Sequence, residues 1–574
     1  MHFNIFSIAG VCKLMGIKHV VLSPGSRSAP LVYAFASNSC FTIHKVVDER
    51  SAAFIALGIA QQSKQPVVLI CTSGTAVANY FPAIAESFYQ HIPLLVISAD
   101  RPKALLNQQD GQMINQNNFY GTHIKSFYTI PELMDKELLL NESIKITLNA
   151  IQDIFSNEMG PVHINVPLSE PLYGKIPNEF QLKKIESLIL RNEKFIKSNS
   201  LQGQIKMKKT DFNLLQKAWL SSSKKVLLLG HDIHYNENVT SLLKLKHNNQ
   251  IVILSDVASG QYDCATISNF DKLLASLSKN ELEQLQPDLL ISIGGPVLSK
   301  SLKKWLQSQK PNHHIRIQQN KPIVDTYNNV TKVIYTTNED GLKSLASFNF
   351  TGNKTSITYK TRWEQLSFQL HKKVNTFIDK TTQWNELSAT AIVLKSLQPG
   401  VNLQLANSSV VRYVSWLGSS LNGFVVNSNR GTSGIDGCTS TAVGAAMVNQ
   451  RQTVLLTGDL AFLYDKNAFW IESIPRNLRV IVFNNMGGGI FSLIDGPNKI
   501  KKFTHYFTTP QKQSSVKDVA QLFGLDYYFC NEKNKLEKTL ETFLNPLSSA
   551  AVLELKFDMQ VNAKVFQHFK NIKL

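Results

Sequence analysis

The chain has 574 residues, 43% of them hydrophobic, and this length predicts about three domains of ~150–200 residues each rather than a single core. No apolar run reaches the ~18 residues that a membrane-spanning helix needs, so the sequence predicts no transmembrane helix. The formal net charge of +18 comes from lysines spread along the chain, without the basic and aromatic motifs of nucleic-acid-binding proteins. Such a charge instead suits small anionic substrates.

Residues 1–24 predict an amphipathic helix that leads into a strand. They lack a basic leader and a small-residue cleavage site, so we expect no secretory signal. The six cysteines are scattered and form no C-x-x-C pair, which indicates reduced thiols rather than a zinc site or a disulfide framework. Together these features favour the cytoplasm.

Apolar strand-like runs alternate with helical patterns along the whole chain, as expected for parallel sheets covered by helices. The runs are continuous, which is typical of strands buried on both faces. In chain order the predicted strands are 19–22, 66–70, 93–98, 162–166, 226–229, 251–254, 289–293, 315–317, 333–335, 423–426, 453–456, 478–483 and 551–555.

Two polar stretches divide this pattern into three parts. Residues 182–209 are basic and are predicted to be a linker, and residues 338–361 lead into helices before the last part. The sequence therefore predicts three α/β domains with doubly wound parallel sheets, over residues 1–180, 181–360 and 361–574. The first and last domains share the same order of loops, small-residue helices and strands. This order predicts a diverged duplication, although unrelated α/β domains have a similar rhythm.

Two strand ends in the last domain carry the clearest chemical pattern. The sequence TGDL (457–460) follows one strand, and NNMG (484–487) follows the next. Doubly wound sheets bind ligands at the carboxyl ends of their strands. The Asp459 carboxylate, the Asn485 side-chain carbonyl and the Gly487 backbone carbonyl are hard oxygen ligands that suit Mg²⁺, with Mn²⁺ as the alternative.

This pair of turns resembles the motif of thiamin-diphosphate enzymes, which consists of a G-D-G turn and a later N-N pair. Gly458 and the start of the helix after it would offer N–H groups to the diphosphate. Leu460 stands where the motif has its third glycine, and the spacing is slightly short. Two ordinary strand-to-helix turns are the alternative interpretation.

The stretch VDERSAAFIALGIAQ (47–61) begins with three charged residues where a strand gives way to a helix. Acidic residues are common there because the helix dipole favours negative charge. Thiamin-diphosphate enzymes also need a carboxylate that faces N1′ of the aminopyrimidine. The resemblance implies Glu49 in that role, with Asp48 as the adjacent alternative and Arg50 as a local partner of these acids. The small residues behind them predict close helix packing.

Nine stretches extend the resemblance over the first and last domains. They are LSPGSRSAPL (22–31), DERSAAFIALG (48–58), TSGTAVANYFPAIAES (72–87), ISADRP (97–102), GPVHINVPLSEPLY (160–173), NSSVVR (407–412), SNRGTSGIDG (428–437), TGDLAFLYDKNAF (457–469) and NNMGGGIFSL (484–493). These stretches resemble the 2-succinyl-5-enolpyruvyl-6-hydroxy-3-cyclohexene-1-carboxylate synthases, the thiamin-dependent enzymes of menaquinone biosynthesis. The resemblance implies three domains of the thiamin-diphosphate-enzyme type.

The family joins 2-oxoglutarate to isochorismate with loss of CO2. Both substrates are dianions, and the planar fork of arginine suits their carboxylates. The resemblance implies substrate and catalytic roles for Glu49, Ser26, Arg27, Gln112, Arg101, Ser408, Arg412, Arg430, Ile490 and Phe491. It implies cofactor contacts for Glu49, Ser73, Gly74, Ile435, Gly458, Asp459, Leu460 and Asn485. An arginine after a strand is also a common surface ion-pair partner, and the apolar residues also suit a core.

The middle domain departs from the family pattern, which has an arginine shortly after a G-G or G-S turn. In GGPVLSKSLKKW (294–305) that position is Ser301. Lys300 or Lys303 would supply a charge without the bidentate fork. The resemblance also implies a homodimer or homotetramer with active sites between subunits.

Two other functions are compatible with parts of the sequence. One is another thiamin-dependent 2-oxoacid decarboxylase or a relative of acetohydroxyacid synthase. The other is a nucleotide-binding module at the G-G turn (294–295), which lacks a G-x-G-x-x-G fingerprint.

Overall fold

The computed structural model describes most of the chain, with short gaps. The described residues are 3–109, 111–132, 135–174, 176–199, 206–231, 235–248, 250–261, 264–319, 322–348, 354–418, 421, 423–493, 504–508 and 515–574. Among these residues no helix is both long enough and apolar enough to cross a bilayer. A cytoplasmic location stays a prediction.

Seventeen strands are present in the described residues. They are β1 His19–Leu22, β2 Thr42–Lys45, β3 Val67–Cys71, β4 Leu94–Asp100, β5 Phe127–Thr129, β6 Val162–Pro167, β7 Lys225–Leu229, β8 Ile251–Ser255, β9 Leu289–Ile293, β10 His313–Gln318, β11 Lys332–Tyr335, β12 Asn402–Leu405, β13 Val425–Ser428, β14 Thr453–Gly458, β15 Leu478–Asn484, β16 Asp526–Cys530 and β17 Ala551–Lys556.

Helices precede or follow most of these strands. They are α1 Phe3–Leu14, α2 Ala29–Ala36, α3 Glu49–Ser63, α4 Thr75–Asn79, α5 Phe81–Gln90, α6 Lys136–Phe155, α7 Glu179–Asn199, α8 Lys209–Ser221, α9 Tyr235–His247, α10 Phe270–Ser276, α11 Lys279–Gln284, α12 Lys300–Ser308, α13 Asn338–Ala346, α14 Lys354–Lys380, α15 Glu386–Ser396, α16 Ser409–Leu417, α17 Cys438–Val448, α18 Asp459–Tyr464, α19 Ile490–Leu493, α20 Thr504–Phe507, α21 Val516–Leu522, α22 Lys533–Phe543 and α23 Met559–Lys570.

The strands form three parallel sheets, which confirms the predicted α/β class. The first sheet has the order β2-β1-β3-β4-β6-β5, the middle sheet β11-β10-β9-β7-β8 and the last sheet β13-β12-β14-β15-β17-β16. The first and last orders are the same when strands are matched in chain order. The predicted duplication of the first and last domains requires such a shared strand order. The middle sheet has a different order.

Each predicted strand coincides with an observed strand, and four observed strands, β2, β5, β12 and β16, were not predicted. β2, β5 and β16 lie at sheet edges and are partly exposed, so they lack a continuous apolar run. β12 is central and buried, but its sequence NLQL is half polar. Its polar side chains bond within the sheet, since Gln404 donates to Asn402 at 3.2 Å and Asn402 donates to Thr453 at 3.3 Å.

Two predictions about helices need correction. The predicted linker at 182–209 is largely helical, because α7 covers its first part and its Ile185 and Ile189 are buried in the first core. Residues 200–205 of that stretch lie outside the described residues. Helix α1 exists as predicted but is not simply amphipathic. It contacts α2, α6 and α7 and is buried over most of its length.

The chain divides into two compact units. The first consists of Met1–Gln202, Gly431–Gln450 and Tyr464–Leu478, and the second consists of Gly203–Arg430, Arg451–Leu463 and Arg479–Leu574. The first sheet lies in the first unit, and the other two sheets lie in the second apart from one terminal residue of β15. The predicted domain boundaries at 180 and 360 stay a prediction.

Within the first unit α3 packs closely against α17, as its small residues predicted. A Cβ on Gly58 would lie 2.1 Å from the Thr441 carbonyl oxygen, and a Cβ on Gly444 would lie 2.0 Å from the Ile55 carbonyl oxygen. Real Cβ atoms do not approach backbone so closely, so each helix needs glycine where it meets the other.

Substitution of Gly444 by alanine is therefore expected to destabilise the first unit. The two helices must separate to admit the methyl group, and overpacking of this kind costs about 1–3 kcal/mol or more. Thermal unfolding would report a lower Tm. Gly111→Ala is the matched control, because a Cβ there meets no atom within 4 Å. An unchanged Tm for Gly444→Ala would contradict the close packing.

Candidate active site

Seven predicted residues of the first unit lie beyond the carboxyl ends of neighbouring strands. Ser26 and Arg27 follow β1, Glu49 follows β2, Ser73 and Gly74 follow β3, and Arg101 and Gln112 follow β4. The strand order is β2-β1-β3-β4, and all pairings among them are parallel. The turns that carry these residues therefore meet at one edge of the sheet, where such folds bind ligands.

Asp48 and Glu49 have different surroundings. Asp48 is the N-cap of α3, and its side chain accepts hydrogen bonds from Ser51 N at 3.2 Å and from Asn467 Nδ2 at 2.7 Å. Glu49 is partly buried, and no hydrogen bond or ion pair from another described residue reaches its carboxylate. Burial raises the pKa of Glu49, and the Asp48 charge adds to the shift. Asp48 therefore has a structural role, while the Glu49 carboxylate remains available.

Arg50 does not pair with these acids, so that prediction is wrong. Its guanidinium donates to the Tyr464 carbonyl oxygen at 2.7 Å and lies over the Tyr464 ring, 4.6 Å from the ring centre. Cation–π stacking and the carbonyl bond together hold the guanidinium group at Tyr464.

The two predicted arginines of the first unit contact the protein itself. Arg27 is 5% exposed, donates to the Leu168 carbonyl oxygen at 2.8 Å and pairs with Glu170 at 3.2 Å. Arg101 is partly exposed and donates to the Gly111 carbonyl oxygen at 2.8 Å. Arg101 thus holds the loop that carries the exposed Gln112.

A buried polar network supports the Ser73–Gly74 turn. Ser73 Oγ donates to the Gln112 carbonyl oxygen at 3.0 Å, and Gly74 N donates to Gln116 Oε1 at 3.0 Å. Gln116 also donates to Asn165 at 2.8 Å. The turn after β3 and the loop after β4 are therefore held together. Ile435, the other predicted cofactor contact of this unit, is partly buried before α17.

In the second unit the two predicted metal-binding turns touch each other. Asp459 begins α18 after β14, and Asn485 follows β15, its neighbour in the sheet. Asp459 accepts from Leu460 N and from Gly487 N, both at 2.8 Å. Burial raises the pKa of Asp459, and these backbone N–H groups oppose the shift.

Sequence reasoning missed Glu386, the first residue of α15. It is 2% exposed and accepts from Asn485 Nδ2 at 2.8 Å and from the Tyr413 hydroxyl at 2.7 Å. Burial raises the pKa of Glu386 to about 7, and the Asp459 charge contributes to the rise. An acid at a helix start is ordinary, so only the fold reveals that this one lies beside Asn485.

The oxygen atoms around Asp459 suit a divalent cation. Asp459 is 2% exposed, and none of the ion pairs among the described residues involves it. A buried carboxylate without a counter-ion is costly, and a bound cation would offset that cost. No group of three His, Cys, Asp or Glu side chains in the described part of the chain suits a metal. A site of the Mg²⁺ type at Asp459 would therefore need amide and backbone oxygens as its further ligands.

Leu460 fits its turn although the motif has glycine there. A Cβ on Gly488 would lie 2.9 Å from the Leu460 side chain, so the glycine of the neighbouring turn leaves room for the leucine. The Phe491 side chain borders the same glycine, and its ring lies 5.5 Å from the Phe507 ring. Ile490 and Phe491 are partly buried. Gly458 ends β14 immediately before Asp459.

Ser408, Arg412 and Arg430 form a second group at the ends of β12 and β13. Ser408 has φ +83°, a strained value for a non-glycine residue, and its carbonyl oxygen accepts from Arg412 Nη1. Arg430 donates to Asn407 Oδ1 at 2.9 Å. Burial and the Arg430 charge lower the pKa of Arg412, and Asp271 partly offsets the shift. Two partly buried guanidinium groups therefore lie near each other.

Comparison with known proteins gives the family. Models for thiamine pyrophosphate (TPP, thiamin diphosphate) enzymes match the chain, with the N-terminal TPP binding domain at residues 6–119, the middle domain at 182–404 and the C-terminal TPP binding domain at 415–555. Curated relatives named 2-succinyl-5-enolpyruvyl-6-hydroxy-3-cyclohexene-1-carboxylate synthase occur in Cytophaga hutchinsonii, Flavobacterium psychrophilum and Desulfotalea psychrophila. They are 38%, 35% and 32% identical over 99%, 99% and 97% of this chain, and each match covers 98% of the relative.

The chain belongs to this synthase family.

Ser301, at the position where the synthase family pattern has a middle-domain arginine, lies in the first turn of α12. The N–H of Ser301 donates to Asp271 at 3.3 Å, and the hydroxyl of Ser299 donates to the same carboxylate at 2.5 Å. Asp271 also accepts from Trp416 Nε1 at 2.6 Å, and Trp416 lies on the same helix as Arg412. Lys300 and Lys303 are exposed at the start of α12. The start of α12 is thus tied to the helix that carries Arg412.

The G-G turn at residues 294–295 does not support the alternative function of nucleotide binding. Gly295 N donates to the His231 carbonyl oxygen at 2.8 Å, and His231 N donates to the Pro296 carbonyl oxygen at 3.3 Å. The turns after β7 and β9 therefore bond to each other. The backbone N–H of Gly295, which a phosphate would need, is already used.

Proposed function

We propose that this chain decarboxylates 2-oxoglutarate and joins the remaining four-carbon unit to isochorismate, giving 2-succinyl-5-enolpyruvyl-6-hydroxy-3-cyclohexene-1-carboxylate in menaquinone biosynthesis. The names of its relatives support the product. The pair Arg412 and Arg430 supports a dianionic substrate, because the planar fork of each guanidinium suits a carboxylate. Thiamin diphosphate, when bound, supplies the electron sink that accepts the charge left by CO2.

The cofactor roles follow from the two groups of residues. Glu49 would share a proton with the aminopyrimidine, since no hydrogen bond or ion pair from another described residue reaches its carboxylate. Asp459, Asn485 and the Gly487 carbonyl would bind Mg²⁺ or Mn²⁺. Ser73, Gly74, Ile435, Gly458 and Leu460 would line the rest of the cofactor.

The substrate roles require cations and neutral donors. Arg101, Arg412 and Arg430 would bind carboxylates through their planar forks. Arg27 would first exchange Glu170, whose side chain is 69% exposed, for a substrate carboxylate. Ser26, Gln112 and Ser408 would add neutral hydrogen bonds, and Ile490 and Phe491 would form an apolar wall.

Two exposed apolar side chains near Glu49 support at least a homodimer, with a homotetramer as its extension. Val46 bridges to Ile471 in antiparallel fashion, and the adjacent Val47 and Trp470 are 38% and 52% exposed. Contact with a second copy of the chain would remove these side chains from water. In that dimer, Glu49 of one copy and Asp459 of the other would serve the same cofactor.

The proposed reaction is tested by CO2 release from purified protein supplied with thiamin diphosphate and Mg²⁺. Release from 2-oxoglutarate that depends on isochorismate, with the joined product detected by mass spectrometry, is expected. No release with both substrates would overturn the proposal. Release from pyruvate instead would favour a different thiamin-dependent decarboxylase.

Lys300→Ala is expected to raise the KM for one of the two dianions by about 2–5-fold, because an exposed ion pair contributes ~0.2–1 kcal/mol. Steady-state kinetics with each substrate varied in turn would measure the change. Lys304→Ala, an exposed lysine of the same helix, is the control. Unchanged KM values for both substrates would remove Lys300 from the substrate site.

A further inference from the structure

Each asparagine of the N-N pair donates to its own buried carboxylate. Asn485 Nδ2 donates to Glu386 Oε1 at 2.8 Å, and the Tyr413 hydroxyl donates to Glu386 Oε2 at 2.7 Å. The neighbouring Asn484 has an equivalent arrangement. Its Nδ2 donates to Glu554 Oε1 at 2.6 Å, and the Tyr527 hydroxyl donates to Glu554 Oε2 at 2.6 Å. The turn after β15 therefore begins with two parallel Tyr–Glu–Asn chains.

The amide oxygens of the same two residues accept from the turn itself. Met486 N donates to Asn484 Oδ1 at 3.0 Å, and Gly489 N donates to Asn485 Oδ1 at 2.9 Å. An amide oxygen has two lone pairs, so Asn485 Oδ1 retains one acceptor position after the bond from Gly489.

The Glu386 carboxylate decides which way the Asn485 amide points. If the amide were reversed, its oxygen would face the Glu386 oxygen and its NH2 group would face the Gly489 N–H. The first contact would bring two hydrogen-bond acceptors together, and the second would bring two donors together. Water cannot satisfy these groups instead, because Glu386 and Asn485 are only 2% and 6% exposed. The orientation that remains leaves Oδ1 as the atom available to a cation.

We propose that Glu386 is a positioning residue for the metal site. It holds the Asn485 side chain with its oxygen directed at the metal, and Tyr413 holds Glu386 in turn. This inference rests on the proposed function, since it assumes that Asn485 binds the metal. Tyr413 follows Arg412 in α16, so the same chain of bonds connects the substrate-binding helix to the metal turn. Partners of this kind usually change metal affinity by about 10–100-fold when removed.

The experiment uses the full chain with thiamin diphosphate and Mn²⁺. The concentration of free Mn²⁺ is measured from its electron paramagnetic resonance signal, so metal affinity is obtained independently of catalytic activity. The variants are Glu386→Met, which keeps the length of the side chain but removes the acceptor, and Glu386→Gln, which keeps one acceptor oxygen. Glu554→Met is the matched control, because it removes the equivalent bonds from the asparagine that is not a proposed ligand.

We expect Glu386→Met to weaken Mn²⁺ binding by about 10–100-fold, with Glu386→Gln intermediate and Glu554→Met within about threefold of the unmodified chain. Circular dichroism establishes that each variant is folded, and Glu386→Gln carries the test if Glu386→Met is not. Wild-type affinity in Glu386→Gln and Glu386→Met, or an equal loss in Glu554→Met, would overturn the inference. Failure of the unmodified chain to bind Mn²⁺ would instead count against the proposed cofactor site.

Discussion

Glu49→Gln is expected to lower kcat by about 10²–10⁴-fold, the usual range for removal of a general acid–base group. Glutamine keeps the size of the side chain and its place at the start of α3, but it cannot hold or release a proton. Burial raises the pKa of Glu49, so the protonated form persists to a higher pH than for an exposed glutamate. Product formation at saturating thiamin diphosphate and Mg²⁺ gives kcat, and NMR of deuterium exchange at the thiazolium C2 gives an independent readout.

The control is Asp48→Asn, the same kind of change at the adjacent acid. Asparagine caps a helix about as well as aspartate, so this variant removes the Asp48 charge while the cap of α3 is kept, and kcat should stay within a small factor. Intact turnover in Glu49→Gln would remove Glu49 from the chemistry. A loss in Asp48→Asn as deep as the one expected for Glu49→Gln would assign the proton transfer to the neighbouring acid.

The predictability of the fold depended on where its polar groups lie. Central strands such as β3 and β9 are buried on both faces, so their apolar runs are visible in the sequence. β12 is equally buried, but its polar side chains satisfy each other inside the sheet, and a pattern of hydrophobicity cannot show that. The polar stretch at 182–209 misled for the opposite reason. Two buried isoleucines dock α7 against the first core, although most side chains of its described part, residues 179–192, are exposed.

The predictability of the site had a similar limit. Residues directly after a strand, such as Glu49 and Asp459, could be predicted because the carboxyl ends of parallel strands meet at one edge. Glu386 could not, because it lies about a hundred residues before Asn485 and only the packing of α15 brings them together. The partner of Arg50 was mispredicted because the nearest charge along the chain is not the nearest group in space.

Asp459→Ala is expected to weaken metal binding by more than about 100-fold, since it removes the charged ligand rather than a supporting partner. The unmodified chain should gain stability when thiamin diphosphate and Mg²⁺ are added, by about 2.7 kcal/mol at a ligand concentration of 100 Kd. Thermal unfolding would show this gain as a rise in Tm. In Asp459→Ala the rise should be largely lost, because only neutral amide and backbone oxygens of the protein would remain to hold the Mg²⁺ that the diphosphate also binds.

Asp465→Ala is a demanding control for this result. Asp465 is as buried as Asp459 and also accepts two hydrogen bonds, from the backbone N–H and hydroxyl of Ser440, both at 2.6 Å. Its removal should lower the Tm of the unliganded chain and leave the ligand-dependent rise in place. If both variants lost the rise, the effect would reflect damage to the fold. If Asp459→Ala kept the ligand-dependent rise in Tm, the Asp459 carboxylate would have no part in binding the metal. The metal site would then have to lie elsewhere.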